Sequence, residues 1–153
     1  IFLKDYRKVF SFFQNELATK DIKVHGSYKL GQLLNILLMT GIPKELILSG
    51  DNFESDLFIY LFISRVLLGS DDPRSLWNEI RLLKAFKLKR TQDSQFLIKL
   101  HQLKSLLISY KDNNPKNHKV NIRIFIRKKN INDKIIIPPQ FEKYEHLVNL
   151  YEE

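Results

Sequence analysis

Three features of the sequence predict a mostly α-helical bundle with a helix-turn-helix-like pair and a C-terminal β-hairpin. Apolar residues recur at helical spacing through most of the first 110 positions. The pattern then changes to a strand period of two at 120–127. Between and around these regions, segment 84–134 gathers most of the positive charge. The length of 153 residues, with 44% hydrophobic and 27% charged, suits one domain, 1–153, with a sizeable core. It also excludes general disorder.

The elements follow in order. Phe2, Tyr6, Val9, Phe10, Phe13 and Leu17 form an aromatic stripe, opposite Lys4, Asp5, Arg7, Lys8 and Gln14. This is an amphipathic first helix ending near Lys20 and Asp21, and its stripe is read as core packing. Gly26 and Ser27 break the chain, with Ser27 as N-cap of a helix carrying Leu30, Leu33, Leu34, Leu37 and Leu38. Gly41 ends that helix, and Pro43 opens a short helical turn through Leu46 and Leu48. Segment 55–68 is apolar nearly all round and belongs in the middle of a bundle. Gly69 closes it. Asp72 before Pro73 marks the next start, and Leu76, Trp77, Ile80 and Leu83 form its inner stripe. Asp93 then caps a helix lined by Phe96, Leu97, Leu100, Leu103, Leu106 and Leu107. Asn114 and Pro115 stop it. Segment 119–138 reads as a hairpin, with strands at 120–127 and 134–137. A C-terminal helix is expected in 139–153, over about 140–151.

The longest apolar run, 57–63, is far short of the roughly 20 residues of a spanning helix, so no membrane is expected. Cysteine is absent, which excludes a disulfide scaffold and a Cys-based zinc site. No secretory signal is visible. The chain begins at Ile1 rather than Met, as expected of a piece of a longer protein.

The charge is uneven. Residues 1–83 hold ten basic and ten acidic side chains; residues 84–134 hold fourteen basic ones against Asp93, Asp112 and Asp133; residues 135–153 are net −3. A neutral scaffold with one basic segment is the layout of a polyanion binder. A lysine-rich composition alone would spread the charge evenly.

Catalytic patterns are lacking. His25, His101, His118 and His146 have no metal-site spacing, and the five glycines form no phosphate cradle. Asp71 and Asp72 fit helix capping better than acid–base work. No enzyme activity, cofactor or small-molecule substrate is therefore expected. The basic stretch reads differently. Lys87, Lys89 and Arg90 lead into Thr91, Gln92, Ser94 and Gln95, between two apolar helices. Hydroxyl and amide groups at the start of a recognition helix suit base edges, while flanking cations suit phosphates. A solvated turn is the plainer alternative for any one of these residues.

Residues Leu33 to Tyr110 resemble the AT-rich interaction domain (ARID) family. The carriers are Gly41-Ile42-Pro43, then Ile47 and Gly50 in a loop, then Asp56-Leu57-Phe58. Gly69, Trp77 and Ile80 follow, and Ser94, Leu97, His101, Leu106, Leu107 and Tyr110 fall on the last helix. The chain departs from the pattern in a shorter segment after Gly69, in Ser70 for a second glycine, and in His101 for a tyrosine. The resemblance implies an ARID-like helical core at 28–111 in a nuclear, chromatin-associated DNA-binding protein. Its loop before the last helix would enter the major groove. The hairpin would act as a wing, as in a winged helix, with Arg123, Arg127, Lys128, Lys129 and Lys134 on phosphates. Duplex DNA and other subunits of a nuclear complex are the expected partners. The alternative is a non-catalytic interaction scaffold of a chromatin or telomere complex, binding protein through an apolar groove.

Overall fold

The alternation of apolar and polar positions is realised as four helices, three strands and one 3-10 segment among the described residues. The computed structural model describes residues 25–51, 55–83, 90–115, 119–128 and 135–152. The elements are α1 (His25–Thr40), β1 (Glu45–Asp51), α2 (Asp56–Leu68), α3 (Pro73–Ile80), α4 (Arg90–Asn113), β2 (Asn121–Arg127), the 3-10 helix (Pro139–Leu147) and β3 (Val148–Tyr151). The chain is mostly helical, with a small sheet. The aromatic stripe of residues 2–17 lies outside the described residues.

α2 is the central element. Leu57, Ile59, Leu61, Phe62, Ile63, Val66 and Leu67 are all buried, as expected of a helix that is apolar nearly all round. It packs on β1, β2, α1, α4 and the 3-10 helix. The core that results also takes Leu30, Leu34 and Leu37 from α1, Trp77 and Ile80 from α3, and Phe96, Leu100 and Leu103 from α4. Each fully buried side chain of this size contributes roughly 1.5–3 kcal/mol over an exposed one.

Helix boundaries follow local chemistry. Gly41 takes a positive φ of 81° and donates its N–H to the Leu37 carbonyl, the left-handed cap that glycine favours. Asp72 caps α3 by accepting the Ser75 N–H at 3.0 Å, with Pro73 at the first helical position. Gly26 and Ser27 do not break the chain. Both are helical and buried within α1, because the core claims this first turn. Asp93 is not an N-cap, since α4 already begins at Arg90.

The strands depart most from expectation. Leu46 and Leu48 belong to β1, not to a helical turn. A short apolar run does not distinguish helix from strand by periodicity. Here β2 decides, by pairing along all of β1 from Glu45↔Asn121 to Asp51↔Arg127. The alternation at 120–127 is indeed a strand, but not half of a hairpin. β2 is the middle strand of the order β1-β2-β3, and both its pairings are parallel. Both of its edges are occupied, so no edge remains for a strand at 134–137. Residues 135–138 are irregular, and Lys134 lies outside the described residues. The hairpin and the wing built on it are therefore replaced by a parallel sheet. The C-terminal helix is corrected as well. Phe141, Tyr144 and Leu147 are three residues apart, the 3-10 period, and pack inward. Val148–Tyr151 then adds to the sheet instead of extending a helix.

Candidate nucleic-acid interface

The carboxyl ends of the three parallel strands lie side by side. Asp51, Arg127 and Tyr151 occupy one row of the register there. In open sheets with helical crossovers this edge is the usual position for ligands. Lys128 follows directly, half-buried, with its backbone N–H donating to the Tyr151 carbonyl at 3.0 Å.

α2 starts from the same edge. Its first residue, Asp56, is buried against Gly50 of β1, whose missing side chain makes room for the carboxylate. Lys29 of α1 donates to Asp56 Oδ1 at 2.7 Å. A carboxylate in the first turn of a helix is favoured by the helix dipole as well as by its cation. Two residues further along α1, Gly31 faces the ring of Phe96 in α4. These contacts put the first turns of α4 at the same end of the molecule as the carboxyl edge of the sheet.

The expected DNA contacts divide accordingly. Lys87, Lys89, Lys129 and Lys134 lie outside the described residues. Arg90, Thr91 and Gln92 belong to the first turn of α4. Ser94 and Gln95 are exposed there. Arg123 is exposed on β2, but its guanidinium is paired with Glu45 of β1. Arg127 is half-buried at the end of β2, opposite Asp51. Arg127 and Lys128 thus share an end of the molecule with Ser94 and Gln95, whereas Arg123 sits further back along the sheet.

The first turns of α4 are tied to α3 through Asp93 and Phe96. Trp77 is buried and stacks on Phe96, with its edge toward Phe62 at a centroid distance of 6.2 Å. Its indole N–H donates to Asp93 Oδ1 at 2.6 Å, and Arg81 donates to Asp93 Oδ2 at 2.7 Å. Asp93 therefore ties the end of α3 to the first turn of α4. Sequence reasoning missed this bridge. It also missed Lys29 and Asp51, and it singled out Asp56 without its place at the sheet edge. The apolar run ending in Gly50-Asp51 before a helix is the strand-to-helix signal that would have found them.

A second polar cluster lies at the opposite end of α2. The Arg65 guanidinium pairs with Asp71 at 3.1 Å and Glu79 at 3.0 Å and donates to the Gln140 carbonyl. Burial alone would lower the Arg65 pKa, but the hydrogen bonds and charges of the two acids outweigh it and raise it. The hydrogen bond from Arg65 holds Asp71 below its ordinary value, with the Arg65 and Lys104 charges adding to the effect against burial. Burial, and then Lys111, lower the Lys104 pKa; its ammonium donates to the Gly69 carbonyl at 2.8 Å. Burial, and then the Asp71 charge, raise that of Tyr144. The arrangement clamps α2, α3, α4 and the 3-10 helix together, which is structural work.

An open groove of about 690 Å³ runs between α1 and α4, lined by Leu38, Ile98, His101, Gln102, Ser105, Leu106 and Ser109. Among the described residues, no group of three or more His, Asp or Glu side chains is arranged to hold a metal ion. No described helix is long and apolar enough to cross a membrane. No protein-family model, no curated protein and no solved structure matches the chain.

Proposed function

We propose that the chain is a DNA-binding domain that holds duplex DNA at the end where α4 begins. The observation that carries this is the charge distribution: residues 84–134 are net +11 in a chain whose other segments are neutral or acidic. The segment leading into α4 supplies Lys87, Lys89 and Arg90, and the first turn offers Thr91, Gln92, Ser94 and Gln95. Arg127 and Lys128 lie at the same end and suit phosphate contacts. α3 and α4, bound through Trp77, Phe96 and Asp93, serve as a helix-turn-helix-like pair with α4 as reader. Ile47 and Gly50 lie in β1 and not in the loop that the ARID resemblance implies. The motifs that remain, Gly41 to Pro43, Asp56 to Phe58, Trp77 and Ile80, support AT-rich duplex DNA as the ligand and a nuclear, chromatin-associated setting with further subunits as partners.

The test is a titration of duplex DNA at two salt concentrations. Cations that displace condensed counterions make the logarithm of affinity fall steeply with the logarithm of salt. A folded sample that binds no DNA at low salt overturns the reading.

A second reading, a protein-interaction module, is favoured by the groove between α1 and α4. Ile98 is more than half exposed there, and Met39 and Ile108 are exposed on the same two helices. Soluble surfaces seldom leave apolar groups gathered in this way without a partner. Loss of partner capture on Ile98→Asp, with DNA affinity unchanged, separates this reading from the first.

A further inference from the structure

The sheet has one face covered and one face open. Leu48, Ile122, Ile124 and Ile126 are buried on the inner face, against α2 and the 3-10 helix. On the other face, Ile47 is 54% exposed and Tyr151 39% exposed, with Phe125 half-buried between them. Wholly parallel sheets are almost always covered on both faces. A parallel sheet with a bare apolar row is thus half of a packing arrangement.

The row has a definite geometry. Ser49, Phe125 and Asn149 are in register, as are Asp51, Arg127 and Tyr151, and Ile47 pairs with Arg123. Ile47, Phe125 and Tyr151 therefore form a diagonal across all three strands, roughly 16 Å long by the usual strand spacings. Beside it, Glu45 pairs with Arg123, and Asp51 lies opposite Arg127. Opposite charges balance on this face, and the diagonal between them is apolar. Along the diagonal that composition suits cover by an apolar surface, while Arg127 stays at the carboxyl edge beside Lys128.

The sequence holds the other half. Phe2, Tyr6, Val9, Phe10, Phe13 and Leu17 form an apolar stripe on a segment outside the described residues. As a helix, residues 2–17 would be about 24 Å long, enough to cover the diagonal. The seven residues 18–24 reach at most about 25 Å when extended. That spans two packed layers of about 10 Å each, starting from α1, whose first turns sit at the carboxyl edge of the sheet. We infer that residues 2–17 dock as a helix on the open face, their aromatic stripe against Ile47, Phe125 and Tyr151. Docking completes a three-layer sandwich in which the sheet lies between helices.

The test uses the absence of cysteine. Ile47→Cys introduces a single thiol on the face in the full chain, and Leu82→Cys, at a position 80% exposed, serves as the open reference. Docking predicts alkylation of Ile47→Cys at least about tenfold slower than of Leu82→Cys, as expected of a site that reacts only on local opening. Adding Phe10→Asp and Phe13→Asp should bring the two rates together. The emission of Trp77, the only tryptophan, reports whether the core stays folded. If that double variant unfolds, Phe10→Ala replaces it, and a smaller rise in rate is expected. Equal rates in the otherwise unchanged chain mean an open face and overturn the inference. Protection that survives loss of the stripe, grows with protein concentration, or appears only with single-stranded nucleic acid assigns the face to another occupant and overturns it too.

Discussion

The indole of Trp77 lies flat on the ring of Phe96, with centroids 5.3 Å apart and planes inclined by 7°. Trp77 comes from α3 and Phe96 from α4, so this stack fixes the two helices on which the proposed DNA interface depends. It buries almost all of the indole while Asp93 satisfies its one donor, which is the condition under which tryptophan is tolerated in a core.

Trp77→Ala removes the stack, the edge contact to Phe62 and the Asp93 hydrogen bond together. The expected loss is on the order of 3–5 kcal/mol, a large share of a typical domain's stability. Urea unfolding followed by circular dichroism measures it. An alanine variant that is as stable as the parent but binds DNA poorly would assign Trp77 to the interface instead.

Gly50→Ala tests the carboxyl edge of the sheet. A Cβ at Gly50 would lie 2.5 Å from Asp56 Oδ2 and 2.7 Å from its Cβ, too close for any carbon. Either β1 or the first turn of α2 must move, and the Lys29–Asp56 pair moves with it. Overpacking of this kind costs about 1–3 kcal/mol. Asp56→Ala in the Gly50→Ala background should recover part of the loss by removing the contact with the carboxylate, while the contact between the two Cβ atoms remains. If the two changes are simply additive, Gly50 is not spacing this carboxylate.

The two halves of the chain differed in how far they could be read. α2 was legible because its apolar run fits one environment only, the middle of a bundle. The α3 start was legible because Asp72 and Pro73 act locally on their own helix. β1 was not, since Leu46 and Leu48 become a strand only through β2, far along the sequence. The alternation around Ile122, Ile124 and Ile126 identified a strand but not its neighbours, and proximity in sequence pointed to the wrong one. Spacing does not separate the 3-10 helix from an α-helix, because Phe141 and Tyr144 also satisfy an i, i+3 pattern on an α-helix. At the proposed interface, the exposed Ser94 and Gln95 at a helix start were legible from spacing. The contacts of α1 with both Asp56 and Phe96 were not, because they arise from the packing of α1 between distant elements.

The Arg65 clamp makes stability depend on acid. Asp71 is held below its ordinary pKa in the folded protein, first by the hydrogen bond from Arg65. A depressed carboxylate contributes stability that is complete above its unfolded pKa, about 4, and is lost as the pH falls through the lower folded value. Asp71→Asn should therefore be less stable than the parent near neutrality. The gap should close as the pH is lowered from about 5 toward 2. Asp72 also has a lowered pKa, through the Ser75 N–H, but is present in both proteins and cancels in the comparison. Urea midpoints across this range measure the effect. A gap that stays constant with pH would mean that Asp71 acts by packing and not by charge.

The last prediction separates charge from base reading at the α4 end. Lys128 follows β2 and, with Lys129, adds positive charge without groups suited to base edges. Neutralising Lys128 and Lys129 should weaken binding by a similar factor on every duplex. It should also flatten the salt slope by up to about one unit for each phosphate that is no longer neutralised. Gln92 and Ser94 carry no charge, and Ser94 is exposed in the first turns of α4. Replacing either releases no counterions, so the salt slope should hold while preference between AT-rich and GC-rich duplexes changes. The two classes of variant thus move different observables, which ordinary loss of stability would not do. Competition titrations against both duplexes at several salt concentrations give both readouts. If the lysine variants bind like the parent at every salt, the end of β2 does not contact DNA. The interface then reduces to the segment leading into α4.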